Sequence, residues 1–276
     1  MKSFEKGIYL LPNLMTMIAL FSGFYAVIAG MNGDYQLGAI AIFVAMVFDG
    51  LDGRIARMTQ TSSAFGAEFD SLADMISFGL APALLMYQWV LSGYGKIGWL
   101  VAFVFTAAAA LRLARFNTQV GVADKRYFQG LPSPAAAALI AGFIWMFETN
   151  PLNPDLAGPV ALVLTAVAGL MMVSNVRFSS FKELNLKDKV PFVTLLLAVL
   201  VFVVITLKPS MILFLLFLLY AISGPVWTLK EIQRRRQKRR RNKPENPQTE
   251  TAQSEATVDS ESSEPSTKKE EPQRHD

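Results

Sequence analysis

Long apolar runs constrain this chain more than any other feature. Residues 9–30, 38–48 and 209–227 are nearly unbroken by polar side chains. They have, or approach, the ~20 predominantly apolar residues that a helix needs to cross a ~30 Å hydrocarbon core. Hydrophobic residues make up 52% of the sequence, with 20 Phe. The part before Pro244 is more apolar still, because the end of the chain is rich in Ser, Glu, Pro, Gln and Thr. Periodicity and punctuation predict an all-α polytopic membrane bundle of about eight transmembrane helices, at 8–30, 35–58, 66–92, 97–116, 131–148, 156–174, 190–207 and 209–229. The breaks fall at NGD (32–34), SGYG (92–95), NPLNPD (150–155), KPS (208–210) and the charged loops, where Gly and Pro stop helices and polar groups reach water. The first apolar run is read as a retained helix, since MKSFEKGIYLLPNLMTM has no small-residue cleavage site behind a short apolar region.

Sidedness follows from Lys and Arg, which concentrate on the cytoplasmic side of membrane proteins. With the N-terminus inside, only Lys96 and Lys208 of the 26 basic residues fall outside. Eight spans with both termini cytoplasmic fit that bias. The predicted organisation is a membrane domain over 1–230, a juxtamembrane polybasic segment over 231–243 containing RRRQKRRR, and a disordered acidic, Ser/Pro-rich tail over 244–276.

One stretch does not suit a membrane. Residues 49–74, DGLDGRIARMTQTSSAFGAEFDSLAD, hold four aspartates, a glutamate and two arginines between apolar runs. A carboxylate at mid-membrane costs roughly 2.5–3.5 kcal/mol even on the lenient insertion scale. Four unpaired ones would cost on the order of 10 kcal/mol, so they must be neutralised or line a wet cavity. Asp49, Asp52 and Gly53 share one helical face with Arg57 a turn on, while Gly66, Asp70 and Asp74 recur at i, i+4 on the next helix, with Ser63 and Ser77 flanking them. If the two stripes face each other, four carboxylates converge. Gly53 and Gly66 then leave bare backbone where a bulky ligand can approach. Glu68 is out of phase with this stripe and is left out of the site. The bland alternative for any single aspartate is a buried ion pair with a nearby Arg.

The chain has no Cys, and its only histidine, His275, lies in the polar tail. Thiolate and imidazole chemistry are therefore excluded from the membrane part. An oxygen-only ligand set favours a hard divalent cation, Mg²⁺ or Mn²⁺. Two such ions about 3.5–4 Å apart, held by shared carboxylates, are a recurrent device for phosphoryl displacement.

The pattern Asp49-Gly50-x-Asp52-Gly53-x-x-Ala56-Arg57, then eight residues, Gly66, three residues, Asp70, three residues, Asp74 resembles the signature of the CDP-alcohol phosphotransferase family at every position. The resemblance implies a helical membrane enzyme that displaces CMP from a CDP-activated lipid with an alcohol, using divalent metal, two ions in all. It implies Asp49, Asp52 and Asp70 as metal ligands and Asp74 as the base toward the alcohol, also touching the second metal. Gly53, Arg57, Ser63 and Gly66, with Asn13 of LPNLMTM, would then meet CDP-diacylglycerol.

Further segments resemble the membrane-integral bacterial phosphatidylserine synthase branch: LPNLMTMIALFSGFYAV (11–27), SLADMISFGLAPALLMY (71–87), LRLARFNTQVG (111–121), FQGLPSPAAAA (128–138) and MVSNVRFSSFK (172–182). That resemblance implies L-serine as acceptor, a homodimer, and a bacterial cytoplasmic membrane location with the site facing the cytoplasm. A zwitterionic acceptor needs a cation for its carboxylate, which Arg112 or Arg115 can supply, and acceptors for its ammonium, such as Asn117 and the backbone near Pro132 and Ser133. Lys182, beside Ser174, Asn175 and Arg177, belongs to a second polar cluster at the same face. Each of these cations also suits a topological anchor, Arg177 most of all. Expected partners are CDP-diacylglycerol, L-serine, the bilayer and a second copy, with no nucleic acid. Two alternatives stay open here: the same chemistry with glycerol 3-phosphate or an inositol phosphate, and an ion-coupled transporter.

Overall fold

The computed structural model of the chain describes residues 2–59, 61, 63–119, 127–150, 154–179 and 206–241. The chain forms two units, Met1–Leu229 and Lys230–Asp276. In the first unit, α1 (Lys2–Met31) packs along α2 (Tyr35–Thr59) through small residues, Ala26, Ala39 and Ala45 among them. Next, α3 (Ala64–Asp74), a π-helical turn (Met75–Leu80) and α4 (Ala81–Trp89) form one continuous rod. After a short 3₁₀ turn (Leu91–Tyr94) come α5 (Gly95–Gln119), α6 (Ser133–Thr149), α7 (Pro154–Val173) and α8 (Pro209–Arg241).

Among the described residues, five helical segments are long and apolar enough to cross a membrane: Leu11–Met31, Ala64–Trp89, Leu91–Thr118, Asp155–Val173 and Pro209–Thr228. This is a multi-pass membrane protein. The expected span at 190–207 lies almost entirely outside the described residues. Helix α6 is shorter, at 17 residues, and is the most enclosed element of the fold. Every residue from Ala135 to Ile144 is buried, which suits its Ala-rich face to close contact with its neighbours.

Three features depart from the expected plain bundle. The third rod is interrupted by the π turn directly after Asp74, which changes the phase of the side chains beyond it. Ser77 lies within this turn and faces α1. It is wholly buried and donates to the carbonyl of Ala19 on α1 at 3.1 Å. A small antiparallel ribbon pairs β1 (Tyr127–Gln129) with β2 (Arg177–Ser179), so the fold is not helical throughout. Helix α8 is also longer than expected. It continues through the polybasic block to Arg241, because Lys, Arg and Gln are good helix formers and neither Gly nor Pro follows Pro225 within it.

Candidate active site

The aspartates divide between two neighbours. Asp49, near the end of α2, meets Asp70 and Asp74 of α3, and ligand oxygens of the three lie within 4.8 Å of one another. Asp52, one turn along α2, faces α1 instead. It is 5% exposed, and its Oδ2 accepts a 2.8 Å hydrogen bond from Thr16, whose hydroxyl also approaches the Pro12 carbonyl at 3.1 Å. Asp52 thus lies outside the three-oxygen cluster, although its charge is felt by Asp70.

The cluster fits a hard divalent cation on two observations. Three carboxylates this close repel one another unless protons or cations separate them. In addition, Asp70 Oδ1 is buried with no hydrogen-bond partner, a condition that costs about 1–3 kcal/mol or more for a charged group. An oxygen-only donor set is what Mg²⁺ or Mn²⁺ takes.

A cleft with ≈ 140 Å³ of water-accessible space opens beside the cluster, between α1, the end of α2 and the start of α3. Asn13, Thr16, Asp52, Gly53, Ser63, Gly66 and Asp70 line it, together with Pro12, Ala56, Thr61 and Ala67. Asp70 belongs to both cluster and cleft. The two glycines leave this wall bare for different reasons. A Cβ on Gly53 would point into open space, with nothing within 4 Å. One on Gly66 would press on Ser63 Oγ at 3.1 Å and Asn13 Oδ1 at 3.3 Å. Ser63 caps α3, its hydroxyl accepting from the Gly66 N–H at 3.0 Å. The first turn of α3 therefore meets the cleft, and unpaired N–H groups of such a turn favour an anion.

Four of the five residues expected near the nucleotide lipid, Asn13, Gly53, Ser63 and Gly66, line this cleft. Arg57 does not; it is exposed, and its Nε donates to the Gly53 carbonyl at 2.8 Å. Glu68 is exposed, in keeping with its exclusion from the site. Thr16 was not singled out in the sequence. Its only signal there is its place one turn after Asn13 on α1.

The residues expected around the acceptor do not all meet. Arg112 and Ser133 do: an Arg112 terminal nitrogen donates to Ser133 Oγ at 2.7 Å, and Asp74 is a charged neighbour of Arg112. Arg115 turns instead to Asn175 Oδ1 at 2.9 Å and the Val173 carbonyl at 3.5 Å. Asn117 pairs with Ser71, its Nδ2 donating to the hydroxyl at 3.0 Å. Lys182 lies outside the described residues.

Two of the quoted segments combine to place Ser133. FQGLPSP supplies β1 and MVSNVRFSS supplies β2, and between them the Gly130 N–H reaches the Val176 carbonyl at 2.9 Å and the Leu131 N–H the Met171 carbonyl at 3.0 Å. Gly130 sits at φ 80°, where a Cβ would run into the Met172 carbonyl, so glycine is required there. Directly after this turn, Pro132 leads into α6 with Ser133 as its first residue.

Residues 9–173 match the CDP-alcohol phosphatidyltransferase family along its profile. The chain belongs to that family. Among curated proteins, it is 37% identical over 196 residues to the CDP-diacylglycerol–serine O-phosphatidyltransferase of Helicobacter pylori, covering 71% of this chain and 83% of that protein. The enzyme of the same description from Methanocaldococcus jannaschii is 34% identical over 176 residues, 64% of this chain and 77% of that one. The archaetidylserine synthase of Methanothermobacter thermautotrophicus is 35% identical over 166 residues, 59% of this chain and 67% of its own length. The cluster lies on the two helices that carry the aspartate signature, and both it and the cleft, which α1 also lines, fall within the matched residues.

Proposed function

We propose that this chain transfers the phosphatidyl group of CDP-diacylglycerol to the hydroxyl of L-serine, giving phosphatidylserine and CMP. The observation that carries the reading is the Asp49–Asp70–Asp74 cluster opening through Asp70 onto a cleft with a bare Gly53 wall. The relatives named above support serine as the acceptor, by what each of them is called.

In this account Asp49, Asp70 and Asp74 would hold divalent metal, two ions on the family resemblance, with Asp52 completing the acidic wall. When bound, the metal neutralises diphosphate charge and stabilises departing CMP. Asn13, Gly53, Gly66 and the capped start of α3 take the CDP head, with Arg57 reaching it by swinging off the Gly53 carbonyl. Thr16 fixes the orientation of Asp52. Asp74 belongs to the cluster and feels the charge of Arg112, which supports it as the group that accepts the serine hydroxyl proton as that oxygen attacks phosphorus and the bond to CMP breaks. Arg112, braced by Ser133, holds the serine carboxylate. Arg115 and Asn117, engaged with Asn175 and Ser71, then serve the rim of this face rather than the acceptor itself. The Lys and Arg distribution puts the site and both termini on the cytoplasmic side of an eight-span fold, and the dimer rests on resemblance alone.

The test is CMP release by the purified protein with CDP-diacylglycerol and Mg²⁺ or Mn²⁺, comparing serine, glycerol 3-phosphate and inositol phosphate. Serine-dependent release with formation of a serine lipid is expected. Release with a phosphate-bearing acceptor alone would refute the acceptor while keeping the metal chemistry, and no release with any of them would refute the enzyme.

A further inference from the structure

Helix α8 is the least enclosed of the five candidate spans, so the places where it seats on the rest of the fold carry weight. Near its start, the Ser210 and Thr149 hydroxyls lie 2.8 Å apart and tie it to the end of α6. One turn on, Phe214 lies against Gly142 of α6, where a Cβ would come within 3.1 Å of the Phe214 Cα. A further seat is made with the ribbon, through Phe178 of β2.

Phe178 is wholly buried, although its strand has only 3 residues. Its ring packs against Tyr220 with centroids 5.6 Å apart, and its edge occupies a notch at Gly224, one turn further along α8. A Cβ on Gly224 would collide with Cδ1, Cε1 and Cζ of that ring, so the notch exists because residue 224 has no side chain. Glycine weakens a helix interior, and here the seated ring offsets that loss.

What Phe178 holds is the route to Ser133. Two residues before it, the Val176 carbonyl accepts from the Gly130 N–H at 2.9 Å, and beside this the Leu131 N–H reaches the Met171 carbonyl at 3.0 Å. Leu131 is wholly buried, Pro132 follows with its ring-fixed φ, and Ser133 opens α6. Ser133 is itself wholly buried and accepts the 2.7 Å hydrogen bond from Arg112. Because the Arg112 Nε is buried without a partner, the contact with Ser133 is what aims this guanidinium.

We propose that Phe178 is a positioning residue for the acceptor site: seated in the Gly224 notch it fixes β2, and through the ribbon it sets Ser133 against Arg112. This rests on the reading that Arg112 holds the serine carboxylate. A two-stranded ribbon this short does not hold its shape alone, so its register and the turn into Ser133 depend on an anchor. Hydrogen bonds from a guanidinium are directional, so a displaced brace misaims the cation. The CDP-lipid cleft is lined from α1, α2, α3 and the loop between the last two. The device therefore acts on one substrate, from the last helix, without touching it.

The experiment is steady-state CMP release by the full chain with Mg²⁺, varying serine and CDP-diacylglycerol separately. The proteins are wild type, Gly224→Ala, Phe178→Leu, the double variant of these two, and Arg112→Lys. Gly224→Ala should raise the serine KM about five- to tenfold, with the CDP-diacylglycerol KM within about twofold of wild type. Phe178→Leu should raise the serine KM about two- to threefold, through a looser seat. Leucine lacks the Cε1 and Cζ atoms that the added methyl group strikes. The double variant should therefore match Phe178→Leu rather than multiply the two effects. An unchanged serine KM in Gly224→Ala would overturn the proposal. So would a parallel change in both KM values and kcat that leucine does not correct, which marks general packing. If Gly224→Ala does not fold, Phe178→Leu decides: a serine KM raised alone supports the proposal, and any other result refutes it. Arg112→Lys separates the two levels. If it raises the serine KM while the Gly224 and Phe178 variants do not, the Arg112 reading stands and Phe178 fails. If Arg112→Lys leaves the serine KM unchanged, the acceptor site itself is misplaced and the proposal falls with it.

Discussion

On the α1–α2–α3 side of the site, the cleft wall is bare backbone and short side chains, with Gly53 facing open space. On the α5–α6 side, Arg112 is half-buried, with a terminal nitrogen donating to Ser133 Oγ and a buried Nε that has no hydrogen-bond partner. The first half has the form of a dock for something large whose charge is met by metal and helix N–H groups. The second presents one cation braced by a serine hydroxyl. A CDP-lipid and an amino acid differ in just this way, and Asp74 stands where the halves meet.

If the division is real, substitutions should separate cleanly by substrate. The largest effect is expected at the junction. Asp74→Asn should lower kcat about 10²- to 10⁴-fold, the range of a lost general base, while equilibrium binding of CDP-diacylglycerol persists. Retained turnover would remove Asp74 from the proton transfer. Next, Arg112→Lys should raise the serine KM by about 10- to 100-fold, since a charge-assisted contact is worth roughly 1.5–3 kcal/mol. The lipid KM should stay put, and a matching rise in it would erase the boundary between the halves.

Thr16→Val acts on the open half alone. It removes the one hydrogen bond that Thr16 gives Asp52, and a buried acceptor left without it costs about 1–3 kcal/mol. The CDP-diacylglycerol KM should rise by roughly tenfold or more and the serine KM hold steady. The smallest effect is expected from Gly53→Ala. Its Cβ meets no protein atom, so thermal stability in detergent should match wild type, while lipid KM rises about two- to fivefold through lost ligand space. A fall in melting temperature there would show that the wall serves packing rather than binding.

The open half was legible in the sequence because it is local. Its aspartates and glycines recur at helical spacing within 49–74, and the energetic cost of charge in an apolar setting demands a reason. Even so, spacing alone did not show that Asp52 turns to α1 while Asp49 turns to α3. Thr16 escaped notice because a threonine within a helix can satisfy its hydroxyl on the carbonyl four residues back, as it partly does at Pro12. The closed half was legible only as basic residues at one face. Arg112, Arg115 and Asn117 look equivalent by spacing, yet only Arg112 reaches Ser133, since helical phase carries them to different neighbours. The ribbon that decides this has three-residue strands fifty positions apart, too short to announce themselves. The π turn after Asp74 has no residue signature either, and it carries Ser77, which donates to the Ala19 carbonyl.

The account's central claim is that the Asp49–Asp70–Asp74 cluster binds CDP-lipid through divalent metal. It is tested most directly by titrating CDP-diacylglycerol into wild type, Asp49→Asn and Asp74→Asn, each with Mg²⁺ and with chelator. The account predicts that wild type and Asp74→Asn bind in a metal-dependent way, and that Asp49→Asn loses both the affinity and its dependence on metal. Equal, metal-independent affinity in all three proteins would contradict it.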